Sequence, residues 1–259
     1  MSDQLLETVV DGVATLQINR PEVRNALSYE LIQELRESVE RIGRDPDVRV
    51  VVLTGAGKAF CAGGDISDMT SRPQYGIDDT RFEDDVALVR AGMETTRALY
   101  EMPKPTLAVM RGTAAGAGLA LALACDIRIV VPDAKLTTAF SKIAVSGDFG
   151  ISFFLPRLVG LAKARELLFF SEVITGQQAA DIGLVNRAVA LEEIDAEAQS
   201  LATRLAKLPT FALGLIKANL DTGSVSSLGE TLDVEAANLV RCFGRDDFAS
   251  AVARFMAKS

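Results

Sequence analysis

Two stretches of small residues could hold a developing negative charge: Ala59-Phe60-Cys61-Ala62-Gly63-Gly64-Asp65-Ile66 and Gly112-Thr113-Ala114-Ala115-Gly116-Ala117-Gly118. Each is read as a turn leading from an apolar, strand-like run (Val48 to Thr54; Thr106 to Met110) into a helix. Backbone N–H groups at such a junction have no intrahelical partner and sit at the positive end of the helix dipole. With no bulky side chain in the way, a ligand can approach the main chain closely. Two such turns aimed at one point would cradle a carbonyl oxygen that gains charge, as a thioester does when it loses an α-proton. For either turn alone, the plainer alternative is that small residues let a strand and a helix pack tightly.

An enolate also needs a base near its carbon. The chain of 259 residues contains no histidine. Ser-His-Asp and Cys-His catalysis are excluded, as is every histidine-ligated metal site. Proton transfer falls to Asp, Glu, Lys, Tyr, Cys or water. Asp148 is a lone acid in Ala144-Val145-Ser146-Gly147-Asp148-Phe149-Gly150. Burial in so apolar a loop would raise its pKa towards a useful value; capping the helix that follows is the alternative. Asp78, Asp79, Glu83, Asp84 and Asp85 form a charge run of the solvated kind. Asp65 opens a helix as a cap or first-turn acid, and Asp126 suits a structural turn. Arg24 could meet a phosphate or stay solvated, and Lys142, Lys217 and Lys258 are equally open. Cys61 has no visible base partner and reads as a small buried filler. No metal site is expected.

The elements that must position these groups follow from periodicity. Leu5 to Val10 and Val13 to Asn19 read as strands joined by the hairpin turn Asp11-Gly12. Ser28 caps a helix running to about Gly43, with Leu31, Ile32, Leu35, Val39 and Ile42 on one face. Val48 to Leu53 is a buried strand. Thr70 to Asp79 reads as a loop, and a helix follows from about Thr80 to Tyr100. Thr106 to Met110 is a strand, Gly116 to Ala124 a helix buried all round, and Asp126 to Val131 and Lys135 to Ala139 short strands. Ile151 to Leu158 and Leu161 to Ser171 are helical on either side of Gly160, and Leu184 to Val189 is a short strand. Glu192 to Leu208, Phe211 to Leu220, Leu228 to Cys242 and Asp246 to Met256 are helices. This predicts an α/β core over residues 1–195 and an all-helical region over 196–259.

Composition narrows the partners. A net charge of −8 argues against a broad nucleic-acid or anionic-membrane footprint. No apolar run reaches the length of a bilayer span. The N-terminus has no secretory pattern, and the three cysteines, Cys61, Cys125 and Cys242, have no paired spacing. A cytoplasmic protein is expected.

At these residues the chain resembles the crotonase superfamily, the enoyl-CoA hydratases/isomerases. The resemblance rests on Ile18-Asn19-Arg20-Pro21 with Asn25-Ala26-Leu27, Leu53-Thr54-Gly55, the stretch 59–66, Gly112 to Asp126, Phe154-Leu155-Pro156-Arg157-Leu158-Val159-Gly160, and Ala179-Ala180-Asp181-Ile182-Gly183-Leu184-Val185. It implies a spiral of ββα units followed by helices that build a homotrimer, often paired into a hexamer. It implies acyl-CoA thioester substrates, with coenzyme A entering as part of the substrate and no separate cofactor. By position it puts the two oxyanion donors on the N–H groups of Gly64 and Ala117. It puts CoA contacts near Ala62, Asp65 and Ile66, phosphate-side contacts near Val23, Arg24 and Ala26, and a neighbouring subunit's contacts at Phe255 and Lys258. The two glutamates of the hydratases fall at Ala120 and Phe140 here. Within that superfamily the chain resembles the ring-epoxide phenylacetyl-CoA isomerases, in Ala139-Phe140-Ser141-Lys142, in an aspartate at Asp148, and in Pro209-Thr210-Phe211 with Gly214-Leu215-Ile216-Lys217. That similarity implies Asp148 as acid/base of an isomerase. The alternatives are a hydratase without the usual glutamates and a non-catalytic acyl-CoA-binding scaffold.

Overall fold

The computed structural model describes residues 3–71 and 81–257. Most of the expected loop at 70–79 therefore lies outside the described residues; Thr70 and Ser71 end a short helix. The chain opens with an antiparallel hairpin, β1 (Leu5–Val10) and β2 (Val13–Ile18). Asp11 and Gly12 both take positive φ, 50° and 77°, as a two-residue turn of matching twist requires. Helix α1 (Tyr29–Arg44) starts where Ser28 Oγ accepts a hydrogen bond from the Leu31 N–H at 3.2 Å. Its Leu31, Leu35, Val39 and Ile42 are buried, as their spacing predicts.

The chain then winds in repeated turns, each giving one strand to each of two sheets before a helix. The first turn is β3 (Val50–Gly55), β4 (Ala59–Cys61), α2 (Ile66–Ser71) and α3 (Phe82–Glu101). The second is β5 (Thr106–Met110), β6 (Thr113–Ala115) and α4 (Ala117–Leu123). The third is β7 (Ile127–Val130), β8 (Lys135–Thr137) and α5 (Ile151–Phe170). After β9 (Ile174–Thr175), α6 (Gly176–Asp181) and β10 (Arg187–Ala188), the sheets have the orders β1-β2-β3-β5-β7-β10 and β4-β6-β8-β9. In the first sheet, pairing from β2 to β10 is parallel; in the second, β8 and β9 are antiparallel. β3 and β5 are buried along their whole length, which is why they read as continuous apolar runs rather than alternating ones.

One expectation is corrected. The stretches 59–61 and 113–115 are not parts of turns but strands, paired with each other in the second sheet through Ala59↔Thr113 and Cys61↔Ala114. The two helical halves expected around Gly160 are present, joined across a kink in α5 where Gly160 leaves the helix (φ 76°, ψ 158°).

Helices α7 (Ile194–Ala206), α8 (Thr210–Gly223), α9 (Leu228–Phe243) and α10 (Asp246–Met256) follow. α7 packs on β2, β3, β5 and β7, so the helical stretch begins by covering the first sheet. α8 pairs with α9 and is tied back to the core by Lys217, whose Nζ donates to the Leu99 carbonyl at 3.1 Å and pairs with Asp126 at 3.0 Å. Asp126 Oδ2 also accepts from the N–H and Oγ1 of Thr106, a structural role for both side chains. Leu220, Leu228, Val240 and Phe255 of the last three helices are each at least 65% exposed. Among the described residues, no helix is long and apolar enough to cross a membrane.

Candidate active site

The first donor turn follows β4. Gly63 sits at φ 96°, which a side chain would strain, and its carbonyl accepts from the Leu27 N–H at 2.8 Å. The Asp65 N–H donates back to Leu27 at 3.0 Å, and the Ala62 N–H donates to the Arg24 carbonyl at 3.0 Å. The loop 20–27 is thus laced to the turn. Asp65 caps α2, accepting from the N–H groups of Ser67 and Asp68, while its second oxygen pairs with Arg20 at 3.0 Å. Val23, Arg24, Ala26, Ala62, Asp65 and Ile66 are brought together in this way; Arg24 is exposed and Ile66 is 57% exposed. Phe255 stands apart, exposed on α10, and Lys258 lies outside the described residues.

Asn25 was legible only as part of the family resemblance, yet it fastens this corner. Fully buried, its Nδ2 donates to the carbonyls of Ala56 and Ala59 at 2.9 and 2.8 Å, and its Oδ1 accepts from the Arg20 N–H. A buried amide must fill its bonds; the one to Ala59 pins the 20–27 loop to β4, the one to Ala56 to the turn before it, and the one from Arg20 closes the loop on itself.

The second donor turn follows β6. Gly116 takes φ 50° and ψ −126°, a conformation open to glycine, and its N–H donates to the Thr137 carbonyl at 3.1 Å. The turns meet: a Cβ on Gly63 would lie 3.0 Å from the Ala115 carbonyl and 3.7 Å from the Ala117 nitrogen. Behind them, a Cβ on Gly118 would lie 2.4 Å from the Cys61 carbonyl and 2.7 Å from its sulfur. Gly118→Ala is therefore expected to destabilise the fold by about 2–3 kcal/mol, since backbone must shift to admit a methyl group. A melting temperature equal to that of the parent would refute this packing. Among the described residues, no acceptor takes the N–H of Gly64 or of Ala117.

Cys61 fills space rather than reacting. Burial first of all pushes its thiol up to about 12, against the opposing hydrogen bond from the Gly63 N–H.

Asp148 is not a cap. The residue before α5 is Gly150, with no side-chain cap bond, and only the Asp148 main-chain carbonyl meets the helix, accepting from Ile151 N–H at 3.0 Å. Its Oδ1 is buried with no hydrogen-bond partner among the described residues. Burial pushes the carboxyl up from 3.8 to about 6. Next to Asp148 in the chain, a Cβ on Gly147 would lie 3.8 Å from the Phe140 ring, and a Cβ on Gly116 would lie 3.7 Å from the same ring. One aromatic ring therefore lies beside both the turn at Gly116 and the loop of Asp148. Asp148 also acts electrostatically on Cys61, beside the first turn. Ala120 and Phe140 are both buried apolar side chains. Among the described residues, no group of three metal-ligating side chains occurs.

Two sheets wound one turn of chain at a time, with a pair of glycine turns meeting at their edge, define a crotonase-type spiral fold. Residues 8–259 match the Enoyl-CoA hydratase/isomerase family, and the chain belongs to that enzyme family. It is 37% identical over 259 residues to the 1,2-epoxyphenylacetyl-CoA isomerase of Escherichia coli, covering 100% of this chain and 97% of that one. It is 33% identical to the crotonyl-CoA hydratase of Syntrophomonas wolfei, with 96% and 93% covered. The crystal structure of an enoyl-CoA hydratase from Polaromonas superposes with a TM-score of 0.90 at 30% identity, covering 98% and 97% of the two chains.

Proposed function

We propose that this enzyme is an isomerase that shifts a double bond in an acyl-CoA thioester, with Asp148 as its acid/base. The carboxylate takes a proton from the carbon beside the thioester carbonyl. The electron pair moves onto the carbonyl oxygen, which the N–H groups of Gly64 and Ala117 hold. The protonated Asp148 then returns the proton at a carbon further along the chain, and the double bond has moved. One base suffices, because no water is added or lost, and no cofactor is needed beyond the coenzyme A that the substrate carries. Each donor is worth roughly 3–4 kcal/mol of transition-state stabilisation in a site of this kind.

The observation that carries this reading is the half-buried carboxyl of Asp148, whose Oδ1 is buried with no partner among the described residues, in a loop whose Gly147 lies beside the Phe140 ring. A carboxyl poised near 6 is charged at neutral pH yet basic enough to accept a carbon-bound proton. Ala120 and Phe140 offer no group to orient a water, which disfavours hydration. The identity to a crotonyl-CoA hydratase keeps hydration, with Asp148 positioning the water, as the second reading. CoA is held by the cluster of Val23, Arg24, Ala26, Ala62, Asp65 and Ile66, and the exposed apolar side chains of α8–α10 are covered in a homotrimer or hexamer. In that assembly Phe255 and Lys258 reach the CoA of a neighbouring subunit.

Incubation with 2-enoyl- and 3-enoyl-CoA esters, and with the ring epoxide of phenylacetyl-CoA, in deuterated water separates the readings by product mass. Isomerisation leaves the mass unchanged apart from deuterium, whereas hydration adds one water. A hydrated product would overturn the isomerase reading, and binding of every ester without turnover or exchange would favour a scaffold.

A further inference from the structure

We propose that Ser171 is a positioning residue for this reaction: its hydroxyl, at the far end of α5, fixes the Thr138–Ser141 turn that sets the Phe140 ring against Gly116 and Gly147. Those glycines adjoin the Ala117 donor and Asp148. The inference rests on the reading of Asp148 as the base.

The bend of α5 at Gly160 lets both ends of the helix meet the same segment. At its start, Ile151 lies 3.0 Å from a Cβ on Gly147. At its end, Ser171 is fully buried in the left-handed region, φ 46°. Its Oγ accepts from Ser141 Oγ at 2.9 Å and lies 3.0 Å from Thr138 Oγ1. Thr138 Oγ1 lies 2.7 Å from the Leu167 carbonyl. A carbonyl can only accept, so Thr138 donates there, while the Ser171 hydroxyl has two acceptors within reach, Thr138 Oγ1 and the Leu168 carbonyl at 3.4 Å. Ser141, Ser171 and Thr138 thus form one hydroxyl cluster anchored on the Leu167 and Leu168 carbonyls. Thr137 adds a parallel tie, its Oγ1 donating to the Ser171 carbonyl at 3.0 Å and accepting from the Ala139 N–H at 3.2 Å. Phe140 hangs from this scaffold through its own N–H, which donates to the Thr138 carbonyl at 2.8 Å. The Thr137 carbonyl holds Gly116.

A hydroxyl cluster of this kind also ends a helix, so loss of stability alone would not distinguish the two roles. The distinguishing quantity is the proton affinity of Asp148, which a loosened Phe140 would lower by admitting water. Asp148 acts electrostatically on the Cys61 thiol, which burial pushes up to about 12, so that thiol stays neutral through the titration. The experiment is a carbon-13 carboxyl titration of the whole enzyme by NMR, with the Asp148 signal assigned by its loss in D148N. It is run on the parent, Ser171→Ala, the milder Ser141→Ala, and Thr175→Ala, which removes the α6 cap instead. Ser171→Ala and Ser141→Ala are expected to lower the Asp148 midpoint by about one unit, with kcat falling roughly tenfold and KM unchanged. Thr175→Ala is expected to lower the melting temperature and leave the midpoint alone. If Ser171→Ala does not fold, Ser141→Ala decides. An unmoved midpoint overturns the proposal. The titration needs no turnover, so its result stands whether or not Asp148 proves to be the base.

Discussion

Asp148→Asn is expected to yield an enzyme that is more stable and nearly inactive. Asn keeps the size of the side chain and removes the charge, so the base is lost, and kcat should fall by about 10³-fold with little change in KM. The stability gain follows from linkage. The folded carboxyl titrates near 6 while the unfolded one titrates near 3.8, so the folded state binds the proton more tightly. Stability contributed by this group is complete below the unfolded value and is lost as pH rises through 6. At pH 7.5 the parent holds a desolvated charge with one oxygen unpartnered, at a cost of about 2 kcal/mol after allowing for the solvent it still meets. The variant escapes that cost. Its melting temperature should exceed that of the parent by several degrees at pH 7.5, and the gap should close as pH falls from 6 towards 4. The parent's kcat/KM should rise with pH through about 6 and level off about one unit above it, because the base must be charged. Equal melting curves at pH 7.5 would mean that the carboxyl is solvated, and undiminished turnover would remove Asp148 from the reaction. A functional group held at a stability cost is what a site built for chemistry requires.

What was legible in the sequence had a local cause. Asp11-Gly12 gave the hairpin because only such residues take two positive φ angles easily, and Ser28 gave the start of α1 because a hydroxyl there satisfies the Leu31 N–H. β3 and β5 gave themselves away as apolar runs. β4 and β6 did not: three residues are too few for a period, and their pairing joins positions more than fifty apart in the chain. They looked like turns because small residues serve close packing and turns alike. Asp148 could not be divided between cap and base, since an acid shortly before a helix suits either. Gly150 decided it by taking the left-handed position before Ile151, which leaves the carboxyl out of the cap. The donors Gly64 and Ala117 were assigned by resemblance, and what the fold adds is the meeting of their turns at Gly63. The grip of Ser171 on the Phe140 segment had no sequence signal, because its partners lie about thirty residues away. The cap of α6 did have one, in Thr175 with Gln178 three residues on, and it is a reciprocal capping box in the structure.

Ala117→Pro is expected to leave the fold in place and remove an oxyanion donor. Ala117 is the first residue of α4, the one helical position where proline is favoured, because its N–H has no partner inside the helix. The preceding residue is usually the obstacle, since its Cβ meets the proline ring. Gly116 has no Cβ, and its φ of 50° with ψ −126° mirrors the extended conformation that residues before proline adopt. The ring carbon would take the place of the amide hydrogen, so the acyl oxygen would lose both a donor and the room beside it. A loss of about 10²–10³-fold in kcat is expected, near 3–4 kcal/mol. Binding of free coenzyme A, measured by calorimetry, should change little, because the nucleotide end is assigned to the 20–27 loop and the first turn. Deuterium exchange beside the thioester carbonyl should fall with kcat, because the enolate itself is what the donor stabilises. A variant that melts with the parent and turns over within tenfold of it would show that the Ala117 N–H does not hold the oxygen. One that loses kcat while still exchanging deuterium at the parent's rate would move the donor's role from the enolate to a later step.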